Sequence, residues 1–139
     1  MSNCTSFYCY CNKNPQKKDV SDCVVRSIAF ATERHWTIVF LELVRYALAF
    51  CCMPNDSIAY EAYLRDIGWK KHRQPTYKGR FITGRTFLRR IRRKSDIIVS
   101  IGKQHMTVIH NGKFRDTWDC SNEVVGNYWT KSKKSKWTS

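Results

Sequence analysis

The apolar residues in the first half of the chain recur at a helical period. An apolar face follows Ser21-Asp22, which supply a good N-cap, and a second run over 37–50 is apolar on most of its surface. A third run spans 57–66, and Gly68 then ends the pattern as expected at a helix C-terminus. The pattern predicts three helices, of which the second is expected to be the central packing helix.

The second half of the chain turns to short runs of β-branched and aromatic residues. These runs predict a strand over 97–101 and a last strand at 128–129. Between the two halves, a short strand over 69–73 and a basic loop over 74–82 precede a short helix over 85–93. The order of these elements predicts a single α+β domain.

The strongest local signal is the pair Asn111-Gly112, which separates strand-like runs over 105–110 and 113–118. Asn-Gly is the preferred loop of a two-residue β-hairpin because both residues tolerate positive φ. The sequence therefore predicts a tight hairpin whose register is set by its loop.

This register brings a histidine and a carboxylate together. Pairing outward from the loop places Thr107 opposite Asp116, and residues two apart on a strand share a face. His105 and Asp116 are then diagonal neighbours on one face, whereas Asp119 points to the other face unless a bulge intervenes. Asp116 is therefore predicted to be the carboxylate that orients His105.

Cys23 is the candidate nucleophile because it lies in the first turn of the first predicted helix. Backbone N–H groups and the helix dipole lower the pKa of a thiol there, and a nearby imidazole lowers it further. A carboxylate behind the imidazole fixes its tautomer. Each residue taken alone also has a structural interpretation, but together Cys23, His105 and Asp116 predict a catalytic triad.

An oxyanion hole is expected beside this thiol. The backbone N–H of Cys23 supplies one donor. The second is expected from an upstream amide side chain, with Gln16 as the first candidate and Asn14 and Asn12 as alternatives.

The charge of the chain is strongly positive and unevenly placed. There are 25 Lys and Arg residues against 11 Asp and Glu residues, a net charge of +14, and no acidic residue lies between Asp66 and Asp96. Such a field attracts nucleic acid or another polyanion, although a solubilising surface is the alternative interpretation. The candidate polyanion-binding residues are Arg85, Arg89, Arg90, Arg92, Arg93 and Lys94.

The seven cysteines bear on the compartment and on metal binding. The first twenty residues lack the apolar run of a secretory signal, and the chain lacks an apolar run long enough for a membrane span. We therefore expect a cytoplasmic protein with free thiols. The spacing of Cys4, Cys9 and Cys11 matches no strong zinc pattern, so neither a metal nor a cofactor is predicted.

Four segments of the chain, taken in order, resemble the motifs of one group of proteins. They read DCVVRSIAFAT from Asp22, YLRDIGW from Tyr63, HMTVIHNGKFRDTWD from His105 and GNYW from Gly126. They resemble the DCVxRAIxxAT, YLxxLGW, HLTAVxxGxxxDTxD and GxYW motifs of small bacteriophage-encoded proteins with a papain-like cysteine-peptidase fold. The resemblance covers about residues 19–130.

The resemblance implies a papain-like fold, with N-terminal helices packed on a small antiparallel sheet. It also implies Cys23 as nucleophile, His105 as general base and acid, and Asp116 as the residue that orients the histidine. The chain departs from the group at Ser21, where a glycine is usual, and its first twenty residues match no motif.

Two functions are expected from these observations. The first is a cysteine hydrolase, a peptidase or amidase acting on a peptide or protein in the cytoplasm of an infected host cell. The alternative is a basic, nucleic-acid- or polyanion-binding host-takeover protein on the same fold without turnover. In either case we expect an irregular segment over 1–20, a single domain over 21–130 and a flexible basic tail over 131–139, with the oligomeric state left open.

Overall fold

Helices dominate the first half of the chain and strands the second half, as the two apolar periods predict. A computed structural model describes residues 3–91 and 95–132. Its helices are α1 (Cys23–Thr32), α2 (Trp36–Phe50), α3 (Ser57–Asp66) and α4 (Gly84–Arg90). Its strands are β1 (Tyr8–Tyr10), β2 (Trp69–His72), β3 (Thr76–Tyr77), β4 (Arg80–Phe81), β5 (Ile97–Ile101), β6 (His105–His110), β7 (Lys113–Asp116) and β8 (Val125–Lys131).

Polar side chains at the N-termini and residues in the left-handed backbone conformation at the C-termini define several of the helix ends. The side chains of His35, Asp56 and Thr83 each accept a hydrogen bond from a backbone N–H in the first turn of α2, α3 and α4, respectively. Glu33 and Cys51 adopt positive φ and close α1 and α2. Among the described helices, only α2 is closed at both ends in these ways, and its span lies close to the predicted 37–50.

The expectation that the second helix is the central packing helix is wrong. Helix α2 buries one stripe, which includes Val39 and Leu43, but Leu41 and Leu48 on its outer side are exposed. Apolar composition alone therefore misplaced this helix, because its apolar residues on the outer side find no partner among the described residues.

The sheet has six strands in the order β1-β7-β6-β5-β8-β2, and only the pairing of β1 with β7 is parallel. Strand β1 lies within the segment over 1–20 that was expected to be irregular, and β3 and β4 form a separate small hairpin within the expected loop over 74–82. The molecule is thus α+β with a mostly antiparallel sheet, and the N-terminal segment contributes an edge strand. The last seven residues of the expected basic tail lie outside the described residues.

The sheet packs on both faces. Helices α1, α2 and α3 bury a cluster that includes Ile28, Leu43 and Trp129 on one face. A second cluster, which includes Phe87 of α4 and Phe114 of β7, covers the other face. Alternation along β6 sends Met106 into the first cluster and Ile109 into the second, so this strand runs through the middle of the core.

The expectation that all of the thiols are free is wrong. Cys4 and Cys9 are joined by a disulfide within the N-terminal segment, whereas Cys23, Cys51 and Cys120 are free. Within the described part of the chain, no helix combines the length and the apolar character needed to cross a membrane.

Candidate active site

The hairpin formed by β6 and β7 has the register that the Asn-Gly loop predicts. His110 pairs with Lys113, and Val108 pairs with Arg115. The two loop residues between the strands both have positive φ. The predicted register is confirmed, and it carries Asp116 to the end of β7 beside the first residue of β6.

His105 and Asp116 are in direct contact. Nε2 of His105 lies 2.7 Å from Oδ2 of Asp116, and both side chains are largely buried. Asp119 is not part of this contact: its carboxylate accepts hydrogen bonds from Ser121 and lies 3.7 Å from Arg85. The structure therefore places the carboxylate behind the histidine as the register predicts, at Asp116 rather than Asp119.

Cys23 is the first residue of α1, and Asp22 occupies the N-cap position. The Asp22 carboxylate does not cap the helix. It accepts hydrogen bonds from Asn14 and from the indole of Trp36, and it forms an ion pair with Arg26 at 2.9 Å. Asp22, which directly precedes Cys23, thus ties the N-terminal segment and α2 to the start of α1.

The thiol of Cys23 lies against the histidine. Burial opposes its ionisation, but a hydrogen bond with His105, a hydrogen bond from the backbone N–H of Met106 and the nearby charge of Arg26 outweigh burial and lower the pKa of Cys23. Strand β6 therefore brings both a side chain and a backbone donor to the sulfur, and both favour the thiolate.

The imidazole responds in the opposite direction. Burial disfavours its charged form, yet hydrogen bonds with Asp116, Cys120 and Cys23 outweigh burial and raise the pKa of His105 well above its ordinary range. The lowered pKa of Cys23 and the raised pKa of His105 both favour a thiolate–imidazolium pair. Such a pair is equipped for nucleophilic attack followed by proton donation to a leaving group.

Asp116 is held by groups that the sequence did not identify. Its Oδ1 accepts a hydrogen bond from the Thr117 backbone N–H at 2.7 Å and lies 3.6 Å from Arg26. Its Oδ2 accepts from the thiol of Cys120 at 3.6 Å. Arg26 was detectable, since it follows Cys23 by three residues and so shares a helix face with it. Cys120 lies in a loop, where no periodic signal identifies it.

A cleft of about 450 Å³ opens beside Cys23 and His105. Gln16, the first candidate for the second oxyanion donor, does not line it. The Gln16 side chain is exposed, and the contact seen for this residue is between its backbone N–H and the Asn14 side chain. Of the other two amides, Asn14 is committed to Asp22 and Asn12 donates to a backbone carbonyl. The lining residues are Cys23, Val24, Met53, Asn55, Asp56, Ser57, Tyr60, Ser100, Gln104, His105 and Met106.

Three of the predicted polyanion-binding residues, Arg85, Arg89 and Arg90, lie on α4. The guanidinium groups of Arg85 and Arg89 lie over the ring of Phe7, and that of Arg90 lies 3.9 Å from the ring centre of Tyr77. Arg92, Arg93 and Lys94, which were predicted with them, lie outside the described residues. The α4 arginines thus lie over aromatic rings, while Arg89 and Arg90 stay exposed to solvent.

His105, Asp116 and Cys120 together offer three ligand atoms within 4.8 Å of one another, a donor set that zinc accepts. The His105 and Asp116 atoms, however, are only 2.7 Å apart. Two ligands of one tetrahedral zinc ion, with bonds of about 2.0–2.1 Å, lie roughly 3.3 Å apart. In this structure the Asp116 carboxylate instead forms hydrogen bonds with His105 and Cys120.

The chain shows no significant match to any protein family, curated protein or solved structure.

Proposed function

We propose that this protein is a cysteine hydrolase that cleaves an amide bond of a peptide or protein, with Cys23 as nucleophile, His105 as general base and acid, and Asp116 as the residue that orients the histidine. The observation that carries the proposal is that Cys23, at a helix N-terminus, lines one open cleft together with His105, whose imidazole is hydrogen-bonded to Asp116.

The geometry supports a two-step reaction. The Cys23 thiolate attacks the substrate carbonyl carbon, and the negative charge moves to the carbonyl oxygen. The Cys23 backbone N–H is available to that oxygen, since the first N–H groups of a helix have no carbonyl partner within it. The intermediate collapses to a thioester as imidazolium of His105 gives its proton to the leaving amine. Water then gives a proton to His105 and attacks the thioester carbonyl carbon; the C–S bond breaks, which releases the acid and restores the Cys23 thiolate beside the protonated His105.

Support for a papain-like arrangement comes from the order of the three residues. Cysteine begins a helix, histidine begins a later strand and the carboxylate ends the next strand. The antiparallel sheet behind α1 agrees with that arrangement. The proposal that the protein is phage-encoded and acts in the cytoplasm of a host cell rests on the four motif segments.

Activity-based labelling with a cysteine-directed peptidyl electrophile tests the proposal. Wild type is expected to label at Cys23, while Cys23→Ala loses that label and His105→Ala slows it at least tenfold. Cys51, the one free cysteine that is exposed in the described part of the chain, supplies an internal reference for a thiol outside the site. Equal labelling of wild type and both variants would remove the hydrolase proposal.

A second candidate function is nucleic-acid binding on the α4 surface, supported by the net charge of +14 and by the outward arginines Arg89 and Arg90. Binding of a duplex at several salt concentrations tests it. An association constant that falls steeply as salt rises supports it, and a flat dependence contradicts it. The double variant Arg89→Ala/Arg90→Ala is expected to reduce the salt slope.

A further inference from the structure

A second cavity, of about 330 Å³, lies next to the cleft at Cys23. Met53 and Asn55 line both, so the two cavities adjoin at these residues. We call this second cavity the apolar pocket, because most of its wall is hydrocarbon. Its wall is completed by Val20, Ser21, Asp22, Val25, Trp36, Phe40 and Pro54.

The apolar pocket exposes hydrophobic side chains that the fold leaves uncovered. Val20 is 49% exposed, Phe40 37% and Met53 68%. Three large apolar side chains exposed around one depression are the pattern that a binding surface shows. Covering them with an apolar group would remove this surface from water.

The wall of the apolar pocket is tied by a hydrogen bond to the residue that precedes the nucleophile. The rings of Trp36 and Phe40 are stacked, with centres 5.2 Å apart and planes 4° from parallel. The indole N–H of Trp36 donates to Asp22, which directly precedes Cys23. A group seated against this wall is therefore held at a defined position relative to the thiol.

The charge of the apolar pocket indicates what it accepts. Asp22 is the one charged residue among the described residues that line it, and its carboxylate is already bonded to Asn14, Trp36 and Arg26. No uncommitted charge remains there to bind a charged side chain. The adjoining cleft differs, since Asp56, Ser57 and Gln104 offer it polar atoms suited to a peptide backbone.

We propose that the apolar pocket is a specificity subsite, which binds a branched aliphatic or aromatic side chain of a peptide whose reacting carbonyl lies at Cys23. The inference rests on the proposed hydrolase function, because it names the substrate class of that site. The peptide backbone lies along the polar cleft, and the apolar side chain, near the reacting bond, turns into the pocket.

Two pairs of electrophiles test this proposal on the wild-type chain. Acetyl-X-glycine chloromethyl ketones place the side chain of X on the acyl side of the reacting carbon, and chloroacetyl-X amides place it on the leaving-group side. X is leucine or glycine in each pair. The measured quantity is the ratio of the leucine rate to the glycine rate at Cys23, read by mass spectrometry, with Cys51 as reference.

In at least one pair, the leucine probe is expected to modify Cys23 about tenfold faster than the glycine probe, because the leucine side chain fills the apolar pocket and glycine leaves it empty. At Cys51 the two rates are expected to be equal. Ratios at Cys23 within twofold of those at Cys51 in both pairs would overturn the proposal. The ratio cancels the intrinsic reactivity of the thiol, so an unactivated Cys23 would remove the hydrolase proposal without affecting this measurement.

Variants test whether the preference for leucine over glycine arises in the apolar pocket. Met53→Asp and Val20→Asp place a charge in the apolar pocket from two sides, and each is expected to bring the ratio at Cys23 close to one. Leu48→Asp is the matched control, because Leu48 is 74% exposed on α2 but does not line the pocket, and its ratio is expected to stay at the wild-type value. Folded pocket variants that keep the full ratio would overturn the proposal.

Discussion

The thiol of Cys120 donates to Oδ2 of Asp116 over 3.6 Å, and this oxygen is the one that contacts Nε2 of His105. Cys120 is completely buried, and burial raises the pKa of its thiol, so it keeps its proton and remains a donor. Cys120 is thus a positioning residue, which acts on the histidine through the carboxylate.

Removing that donor is expected to weaken the site without unfolding it. Cys120→Ala should slow alkylation of Cys23 at pH 7 by about three- to tenfold, the equivalent of one hydrogen bond from a weak thiol donor of about 0.5–1.5 kcal/mol. Cys120→Ser retains a donor and should recover part of the rate. The measurement is the rate of Cys23 alkylation against pH. A merely structural role for Cys120 would leave the shape of that profile unchanged in both variants.

The two nearby aspartates should respond differently to the same chemical change. Asp116→Asn removes the charge behind His105 and is expected to slow Cys23 alkylation at pH 7 at least tenfold. Asp119→Asn is the matched control, since Asp119 contacts Ser121 and Arg85 instead, and its rate should stay within twofold of wild type. Equal losses in the two variants would contradict the assignment of Asp116.

The pH dependence of alkylation follows from the lowered pKa of Cys23. The Cys23 thiolate persists until the pH falls through the pKa that Cys23 has in the folded protein. Between pH 8 and pH 6 the alkylation rate of Cys23 should therefore fall less steeply than that of a free small-molecule thiol of pKa about 8.5, which slows roughly tenfold per pH unit.

His105→Ala provides the control for that profile. Without the imidazole the pKa of Cys23 should rise, and the rate should then depend on pH across this range. A wild-type profile that already falls tenfold per unit between pH 8 and pH 6 would show that the thiol is not activated.

Arg26 is expected to be a large contributor to stability. It lies between the buried carboxylates of Asp22 and Asp116, 2.9 Å from the first and 3.6 Å from the second. Arg26→Leu leaves the Asp22 carboxylate without its cation and Asp116 with His105 alone, and it should lower the free energy of unfolding by about 3–5 kcal/mol. Urea denaturation measures this change.

A surface ion pair offers the comparison. Lys71 pairs with Glu61 at 3.1 Å, but both side chains are well exposed. Lys71→Ala should therefore change the free energy of unfolding by less than about 1 kcal/mol. Similar losses in Arg26→Leu and Lys71→Ala would contradict a special role for the buried pair.

Local signals in the sequence predicted the register of the hairpin that carries His105 and Asp116 and the start of the helix that carries Cys23. The Asn111-Gly112 loop sets the register of β6 and β7 within a few residues, and this register carried the choice of Asp116 over Asp119. The polar residues before Cys23 likewise marked the start of α1. These features depend on backbone preferences over short stretches, which residue types reveal directly.

The tertiary structure alone decided how those parts meet. The approach of Cys23 to His105, the place of Cys120 behind Asp116, and the exposure of Gln16 all depend on contacts between residues distant in the chain. The outer face of α2 and the strand β1 were misjudged for the same reason. Which apolar face is buried, and which segment pairs with a sheet edge, depends on the packing of the whole chain, and no short window of sequence contains that information.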